Sequence, residues 1–270
     1  MSGQKIKLVA CDIDGTLVDS KKRIPGGLYE AVHKLRDHGI IFVIASGRQY
    51  YNVAKTFAAI KDVITILSEN GSMLIDDNGA FFTSEIPQSD VVEIMRETAR
   101  IPTAQTILCG VKAAYTLPSS EACRSDIGNN YERRVIAENA FDLAAQDIIC
   151  KVAVFDHESS AKNVAPVLAH FADHLNPNLS GDHWIDVMNQ GIDKGSGMRI
   201  LLDRFGVKPE ECMCFGDYDN DIGMLKVCGE SYAMANATDA VKAVCKHLAP
   251  SNDEAGVMQV LYREFPFLRT

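Results

Sequence analysis

The sequence lacks several features that mark particular classes of protein. No stretch of about 18 apolar residues occurs in its 270 residues, which argues against a membrane-spanning helix. Its cysteines form no Cys-x-x-Cys pair, which argues against a zinc site. Lys and Arg (27) are fewer than Asp and Glu (36), and a nucleic-acid-binding surface requires clustered cations. We therefore expect neither a membrane nor a nucleic acid among the partners.

The first residues also lack the apolar core of a signal peptide, because residues 1–5 lead straight into an apolar run. Most of the eight cysteines lie within apolar runs: Cys11, Cys109, Cys150, Cys214 and Cys245. This placement favours buried free thiols in a reducing compartment, so we expect a cytoplasmic protein. A chain of 270 residues is long enough for one large domain or two modest ones.

The most informative stretch runs from Val9 to Leu17 (Val-Ala-Cys-Asp-Ile-Asp-Gly-Thr-Leu). The apolar residues 6–11 predict a short buried strand. Asp12 and Asp14 follow it, and Gly15 permits the sharp turn that would end the strand. The two carboxylates can then converge over the carboxyl end of the strand, which is where open α/β sheets bind ligands.

Two neighbouring carboxylates repel each other unless a cation or a proton offsets their charge. A divalent cation would keep Asp12 ionised, and a proton on Asp14 would make it a general acid. Together they would form a nucleophile for a phosphoryl group and an acid for the leaving oxygen. A solvated turn and a calcium loop are the alternatives. The calcium loop requires Glu at its twelfth position, where Arg23 stands.

A second apolar run, residues 40–45, ends directly before Ser46 and Gly47. With a helix predicted for residues 25–38, it completes a βαβ unit whose strands are buried on both faces. The Ser46 hydroxyl and the Gly47 amide would lie at the same sheet edge as Asp12. There they can bind a phosphate oxygen, assisted by the amino end of the next predicted helix, which extends to about residue 59. Taken alone, Ser46 is better explained as a helix N-cap.

A third strand is predicted for residues 63–67, followed by Asn70 in a turn and a hairpin of residues 72–75 and 80–83. The character of the chain changes after residue 84. The elements predicted there are helices at 91–99 and 160–175 and strands at 105–109, 113–117, 148–155 and within 180–188, with a polar stretch at 119–139. This interval contains no acid-rich turn, so it is predicted to be an inserted α+β domain.

The first pattern returns after residue 190. Lys194 opens a predicted helix that Gly206 ends, and a lysine at the positive end of a helix suggests a nearby anion. A buried strand at 212–215 then ends in the turn of residues 216–221 (Gly-Asp-Tyr-Asp-Asn-Asp). Hard oxygen ligands of this kind suit magnesium. Short strands at 231–234 and 247–249 and helices at 239–244 and from 251 follow.

These segments together resemble the haloacid dehalogenase superfamily. Asp12, Asp14 and Thr16 match its first motif, Asp-x-Asp-x-Thr, and Ser46 and Lys194 match the second and third. Residues 216–221 match the fourth, Gly-Asp-x-x-Asn-Asp, in full. The Ser-Gly-Arg form of the second motif and the large insertion between the second and third motifs are similar to the Cof-type subgroup. The resemblance covers nearly the whole chain, and all four motifs occur in order.

The resemblance implies an α/β fold: a doubly wound, mostly parallel Rossmann-like sheet with an inserted α+β cap domain. Residues 1–83 and 190–270 would form the core domain, and residues 84–189 the cap. It also implies Mg²⁺ as the cofactor. The implied site residues are catalytic Asp12 and Asp14; phosphate-binding Ser46, Gly47, Lys194 and Asn220; and metal-binding Asp12, Asp14 (through its backbone carbonyl), Asp217 and Asp221.

The implied function is a phosphatase that hydrolyses small phosphate monoesters through a phosphoaspartate. Sugar phosphates, pyridoxal phosphate and nucleotides are the candidate substrates, so the partner would be a small phosphorylated metabolite; the oligomeric state is not predicted. A phosphomutase with the same nucleophile, a phosphonate- or haloacid-cleaving enzyme and a non-catalytic phosphometabolite-binding protein are the alternatives. Possible contacts of the leaving group in the cap are His183, Trp184, Arg124 and Arg133.

Overall fold

The chain forms two compact units in a computed structural model that describes residues 6–118, 125, 128 and 130–269. The first unit comprises Met1–Gly47, Thr56–Phe81 and Asp193–Thr270. The second comprises Arg48–Lys55 and Phe82–Ile192. Arg124, a predicted substrate contact, lies outside the described residues.

The strands form two separate sheets. The strands are β1 Leu8–Cys11, β2 Ile41–Ala45, β3 Thr65–Ser68, β4 Met73–Asp76, β5 Gly79–Thr83, β6 Ala104–Gly110, β7 Ala114–Thr116, β8 Arg134–Ile136, β9 Ile149–Asp156, β10 Leu175–Gly181, β11 Trp184–Asn189, β12 Cys212–Gly216, β13 Glu230–Met234 and β14 His247–Ala249. The first sheet has the order β14-β13-β12-β1-β2-β3-β4-β5, and the second β10-β11-β9-β6-β7-β8.

Helices connect these strands. They are α1 Leu28–Asp37, α2 Tyr50–Thr56, α3 Gln88–Thr98, α4 Ala140–Ala144, α5 Ser160–Asn163, α6 Ala165–Leu168, α7 Lys194–Phe205, α8 Ile222–Val227, α9 Asp239–Val244 and α10 Gly256–Glu264. Short 3₁₀ helices lie at Lys61–Val63, Glu69–Gly71, Ala169–Asp173, Pro209–Glu211, Asp219–Asp221, Asn252–Glu254 and Pro266–Arg269. Within the described residues, none of the helices has the length and hydrophobicity needed to cross a bilayer.

The first sheet is mostly parallel, as predicted. Every pairing from β14 to β3 is parallel, and the hairpin strand β4 pairs antiparallel with β3. The residues of β1 and β12 are all buried, because both faces of a parallel sheet are covered. The chain proceeds from β1 through β2 and β3 towards one edge of the sheet, and from β12 through β13 and β14 towards the opposite edge. The gap between β1 and β12 is therefore the topological switch point, where such folds bind ligands.

The second sheet is antiparallel except where β8 pairs parallel with β7. An apolar core packs against it, formed by residues of α3 and α6 and by alternate residues of the strands, among them Ile94, Leu108, Val152, Val154 and Leu168. Strand β8 falls in the polar stretch for which the sequence predicts no element. The fold class, with its α/β sheet and a separate α+β unit, is confirmed.

The single helix predicted for residues 160–175 is wrong. The structure has two short helices, α5 and α6, then a 3₁₀ helix, and Leu175 already begins β10. Pro166 explains the interruption, because it lacks a backbone N–H and its ring clashes with the preceding turn of a continuous helix. Val164, Leu168 and Phe171 are nevertheless buried, so the apolar spacing was informative although the helix is not continuous.

Helices α7 and α8 approach so closely that two glycines face each other. A Cβ on Gly195 would lie 2.6 Å from the carbonyl carbon and 2.7 Å from the oxygen of Gly223, which are rigid backbone atoms. We expect Gly195→Ala to lower the free energy of unfolding by about 1–3 kcal/mol, because overpacking forces the two helices apart. Gly26→Ala is the matched control, since a Cβ there meets nothing within 4 Å. Urea denaturation checks this, and equal stability of the two variants would contradict it.

Candidate active site

The register of the first sheet brings the motif segments to one edge. Cys11, the last residue of β1, is paired with Ile44 of β2 and Phe215 of β12. The residues that follow these three strands therefore emerge side by side at their carboxyl ends. Asp12 comes directly after β1, flanked by the loop that starts at Ser46 on one side and the loop that contains Asp217 on the other. The edge predicted from three separate apolar runs is thus a single place in the structure.

The loop after β1 folds into a tight turn. The backbone N–H groups of Leu17 and Val18 both donate to the carbonyl of Ile13, at 3.0 Å each. Gly15 has φ +79°, and a Cβ there would overlap the carboxylate of Asp217. Only glycine accommodates both the backbone angle and this close approach. The turn consequently brings the first and fourth motifs into direct contact.

Lys194 is the first residue of α7, and its side chain is completely buried. Asp193 caps the helix through a capping box with Ser196, which fixes the direction in which the chain enters α7. The Lys194 ammonium lies 2.6 Å from Oδ1 of Asp12 and 2.6 Å from Oδ1 of Asp221. These carboxylates are the anions that a lysine at the positive end of a helix requires.

Asp221 and Thr16 hold the turn of the fourth motif in place. The second oxygen of Asp221 accepts hydrogen bonds from the backbone N–H groups of Asp217 and Tyr218, at 3.0 and 3.1 Å. The Thr16 hydroxyl donates to Oδ1 of Asp217 at 2.7 Å. The Asp217 carboxylate is thereby oriented by a residue of the first motif, a role for Thr16 that the sequence pattern did not specify.

Asp12, Asp217 and Asp221 form one cluster. Each offers a carboxylate oxygen, and these oxygens lie within 4.8 Å of one another. The Lys194 ammonium contacts two of the three carboxylates, those of Asp12 and Asp221, so the cluster is short of positive charge. Hard oxygen donors at this spacing are the set that a divalent cation such as Mg²⁺ prefers. The residues present therefore fit a metal ion of this kind.

Burial governs the protonation of these groups. Burial raises the pKa of Asp12 from the usual 3.8 to about 7, although the charge of Lys194 opposes the shift. Burial likewise raises the pKa of Asp217 to about 6, opposed by the hydrogen bond from Thr16. For Lys194, burial lowers the pKa, but the charges of Asp12 and Asp221 outweigh it and hold the pKa above its usual range. The lysine is therefore charged, whereas the acids are costly to ionise.

Asp14, the predicted acid and base, lies apart from this cluster. Its side chain is 38% exposed and accepts a hydrogen bond from the Lys22 ammonium at 2.6 Å. Lys22 has a left-handed backbone, with φ 61°. The sequence motif did not identify this lysine, because no spacing rule connects it with Asp14.

The remaining predicted phosphate-binding residues lie in two loops that a hydrogen-bond chain connects. Ser46 is buried directly after β2, and Gly47 follows it. The backbone N–H of Asn70 donates to the Ser46 carbonyl at 3.1 Å, and Oδ1 of Asn70 accepts from Nδ2 of Asn220 at 3.1 Å. Asn220 is exposed, so its carboxamide is accessible to a ligand.

Two asparagines that follow β13 and β14 support the first loop. Nδ2 of Asn236 donates to the Gly15 carbonyl at 2.8 Å, and Nδ2 of Asn252 donates to the Val18 carbonyl at 2.9 Å. The two are also joined, since the backbone N–H of Asn252 donates to Oδ1 of Asn236 at 3.1 Å. Their positions after β13 and β14 were the only signal available in the sequence.

The described cap candidates have partners within the second unit. Nδ1 of His183 lies 2.9 Å from the carbonyl oxygen of Asp156. Trp184 packs against Phe155 and Tyr131, with ring centroids 5.0 and 6.3 Å away. The guanidinium of Arg133 stacks over the ring of Tyr51 at 4.8 Å. Their proposed contact with a leaving group stays a prediction.

The chain belongs to the haloacid dehalogenase-like hydrolase family, whose sequence model matches residues 9–261. A 5-amino-6-(5-phospho-D-ribitylamino)uracil phosphatase of Escherichia coli (strain K12) is 31% identical, and the match covers 97% of this chain and 98% of the relative. A phosphatase with the same substrate in its name, from Bacillus subtilis (strain 168), is 25% identical over 96% and 97% of the two chains.

Solved structures agree with this assignment. A crystal structure of a protein from Streptococcus mutans UA159 superimposes with a TM-score of 0.84 at 29% identity, over 98% of this chain and 100% of the other. The predicted family and Cof-type resemblance are confirmed. The predicted enzyme class, a haloacid dehalogenase-type phosphatase, is confirmed with them.

The shortage of positive charge around Asp12 predicts a trade-off between stability and activity. In metal-free buffer at pH 8, we expect Asp12→Asn to raise the free energy of unfolding by about 1 kcal/mol, or about 2–4 °C in melting temperature. Asparagine removes a buried negative charge, yet its side-chain oxygen can still accept a hydrogen bond from the Lys194 ammonium. Adding Mg²⁺ should raise the melting temperature of the wild type more than that of the variant.

The pH dependence follows from the raised pKa. Since the pKa of Asp12 is about 7 in the folded protein and 3.8 ordinarily, the folded state binds more protons between these values. The stability of the metal-free wild type therefore falls as the pH rises through this interval. The difference between wild type and Asp12→Asn should shrink at pH 5. Thermal melts at pH 5 and pH 8 check this, and a variant that is less stable at pH 8 would contradict it.

Proposed function

We propose that this protein is a Mg²⁺-dependent phosphatase of small phosphate monoesters that forms a phosphoaspartate on Asp12. The observation that carries the proposal is the position of the Asp12 carboxylate. It stands at the switch point of the sheet, 2.6 Å from the Lys194 ammonium and within one cluster with Asp217 and Asp221. A nucleophile, a fixed cation and a set of metal ligands thus converge on one place.

Asp12, Asp217 and the backbone carbonyl of Asp14 would hold Mg²⁺, with Asp221 bound directly or through water. Bound Mg²⁺ would act as a Lewis acid that offsets the negative charges of the nucleophile and the phosphate. Asp221 is already engaged by Lys194 and by two backbone N–H groups, so its carboxylate is the most firmly oriented of the three.

Lys194 serves both the resting site and the reaction in this proposal. Its ammonium lies against the oxygen of Asp12, where it can also reach an oxygen of a phosphoryl group that approaches Asp12. Ser46, Gly47 and Asn220 would bind the other phosphoryl oxygens. Catalysis of phosphoryl transfer depends mainly on such positioning and charge stabilisation, because the negative charge is spread over these oxygens in the transition state.

Asp14 would act as the acid and then as the base. It would give a proton to the leaving alcohol when Asp12 attacks the phosphorus, and take a proton from the water that later attacks the phosphoaspartate. Its partial exposure gives both the alcohol and water access to the carboxyl group.

Similarity to two phosphatases named for 5-amino-6-(5-phospho-D-ribitylamino)uracil supports that ester as the first substrate to test. The substrate classes predicted from the sequence are sugar phosphates, pyridoxal phosphate and nucleotides. Other sugar phosphates, nucleoside monophosphates and pyridoxal phosphate follow in the panel.

Substitution of the two motif aspartates tests the mechanism. Asp12→Asn should abolish turnover, since the amide oxygen cannot displace the alcohol. Asp14→Asn should slow both formation and hydrolysis of the phosphoenzyme by about 100-fold or more, the usual contribution of a general acid or base. Single-turnover kinetics with a ³²P-labelled ester measure both steps. Full activity of Asp12→Asn would exclude the phosphoaspartate, and an unaffected Asp14→Asn would exclude the acid–base role.

A panel of phosphate monoesters, assayed for release of inorganic phosphate, tests the cofactor and the reaction together. We expect turnover with Mg²⁺, loss of turnover with a chelator and recovery when Mg²⁺ is added back. Phosphate release without a bisphosphate primer would exclude a phosphomutase. Binding of every ester without turnover would instead support a phosphometabolite-binding protein and overturn the proposal.

A further inference from the structure

The turn Glu69–Gly71, between β3 and β4, has an unusual backbone. Three consecutive residues, Glu69, Asn70 and Gly71, have φ values of 49°, 54° and 99°. Left-handed conformations are uncommon for residues other than glycine, and each one costs free energy. Such a conformation persists only where contacts with the surrounding structure enforce it, so the neighbours of this turn must hold it in place.

The turn contacts the loops of three motifs. The backbone N–H of Asn70 donates a hydrogen bond to the Ser46 carbonyl, and the Asn70 side chain accepts a hydrogen bond from the Asn220 side chain. Gly71 lies against the carbonyl of Asp193, directly before Lys194, so closely that a Cβ on Gly71 would overlap this oxygen. The turn therefore connects the second, third and fourth motifs, although it belongs to none of them.

The Asn70 carboxamide lies directly over Gly47. A Cβ on Gly47 would be 2.9 Å from Oδ1 and 3.0 Å from Nδ2 of Asn70, so glycine at this position leaves the space that the carboxamide occupies. Oδ1 of Asn70 accepts one N–H of Asn220. Because that carboxamide carries two N–H groups, this bond determines which way the second one points.

We propose that Asn70 is a positioning residue of the phosphate site. Its side chain orients the Asn220 carboxamide towards the phosphoryl oxygens, whereas the hydrogen bond to the Ser46 carbonyl comes from its backbone N–H and does not depend on the side chain. This inference rests on the proposed phosphatase function, and it assigns a role to a residue outside the four motifs. The Asn70 side chain acts through Asn220; it does not itself take part in the chemistry.

A purely structural role is the alternative, in which Asn70 only relieves the left-handed backbone of the turn. Substitution by glycine separates the two roles. Glycine adopts a φ of +54° at no steric cost, so Asn70→Gly removes the side chain while the turn keeps its conformation. Asn78→Gly is the matched control, because Asn78 is an exposed turn asparagine whose hydrogen bonds go to Asp76 and Asp77.

The experiment is a double-mutant cycle of Asn70→Gly and Asn220→Ala in the full-length protein with Mg²⁺. The readouts are kcat/KM for the best ester of the panel and the affinity for inorganic phosphate, measured by calorimetry. We expect Asn70→Gly to lower both about tenfold, the effect of one lost hydrogen bond to an anion site, with an unchanged melting temperature. The control Asn78→Gly should keep both values.

The double variant decides the mechanism of the effect. If Asn70 acts through Asn220, the double variant should be no worse than Asn220→Ala alone. Independent losses that multiply, or an Asn70→Gly protein with wild-type kcat/KM and phosphate affinity, would overturn the inference.

Failure of the proposed function has a different signature. A wild type that binds phosphate but hydrolyses no ester would refute the phosphatase proposal, while the calorimetric cycle still tests Asn70. A wild type that neither binds phosphate nor hydrolyses esters would overturn both.

Discussion

The site depends on one buried ammonium. Lys194 lies between Asp12 and Asp221, and its side chain has no exposed surface. Without this charge, three carboxylates from two loops would face one another in a low-dielectric environment, which is strongly unfavourable. The ammonium therefore holds the ends of β1 and β12 together, and the capping box at Asp193 holds the ammonium in place.

One ammonium does not neutralise three ionised acids, so the cluster keeps an excess of negative charge. Burial raises the pKa of Asp12 and Asp217, so the free protein carries an electrostatic cost at neutral pH. A divalent cation would relieve that cost, which couples metal binding to stability. Close backbone approaches keep the site rigid, since Gly15 lies against Asp217 and Gly71 against Asp193. Rigid placement of charge is what phosphoryl transfer requires of a protein.

Much of the fold follows from local patterns. Continuous apolar runs located β1, β2 and β12 to within two residues, because strands buried on both faces cannot be polar. The helix predicted for residues 160–175 failed at Pro166, where a covalent restriction on the backbone outweighs apolar spacing. The pairing of Lys22 with Asp14 and the left-handed turn at Asn70 were also beyond sequence patterns. Both depend on contacts between segments that are not related by any fixed spacing.

The sequence by itself determined which chemistry is available: the acids, the lysine, the hydroxyl and the order of the strands that carry them. Only the tertiary structure decided which of these groups meet, since Asp12 and Lys194 are 182 residues apart in the chain. It also decided the environment that shifts their pKa values. The physical reason is that residue type and periodicity are local properties, whereas burial and the Coulomb interaction depend on distances in space that only the packed fold sets.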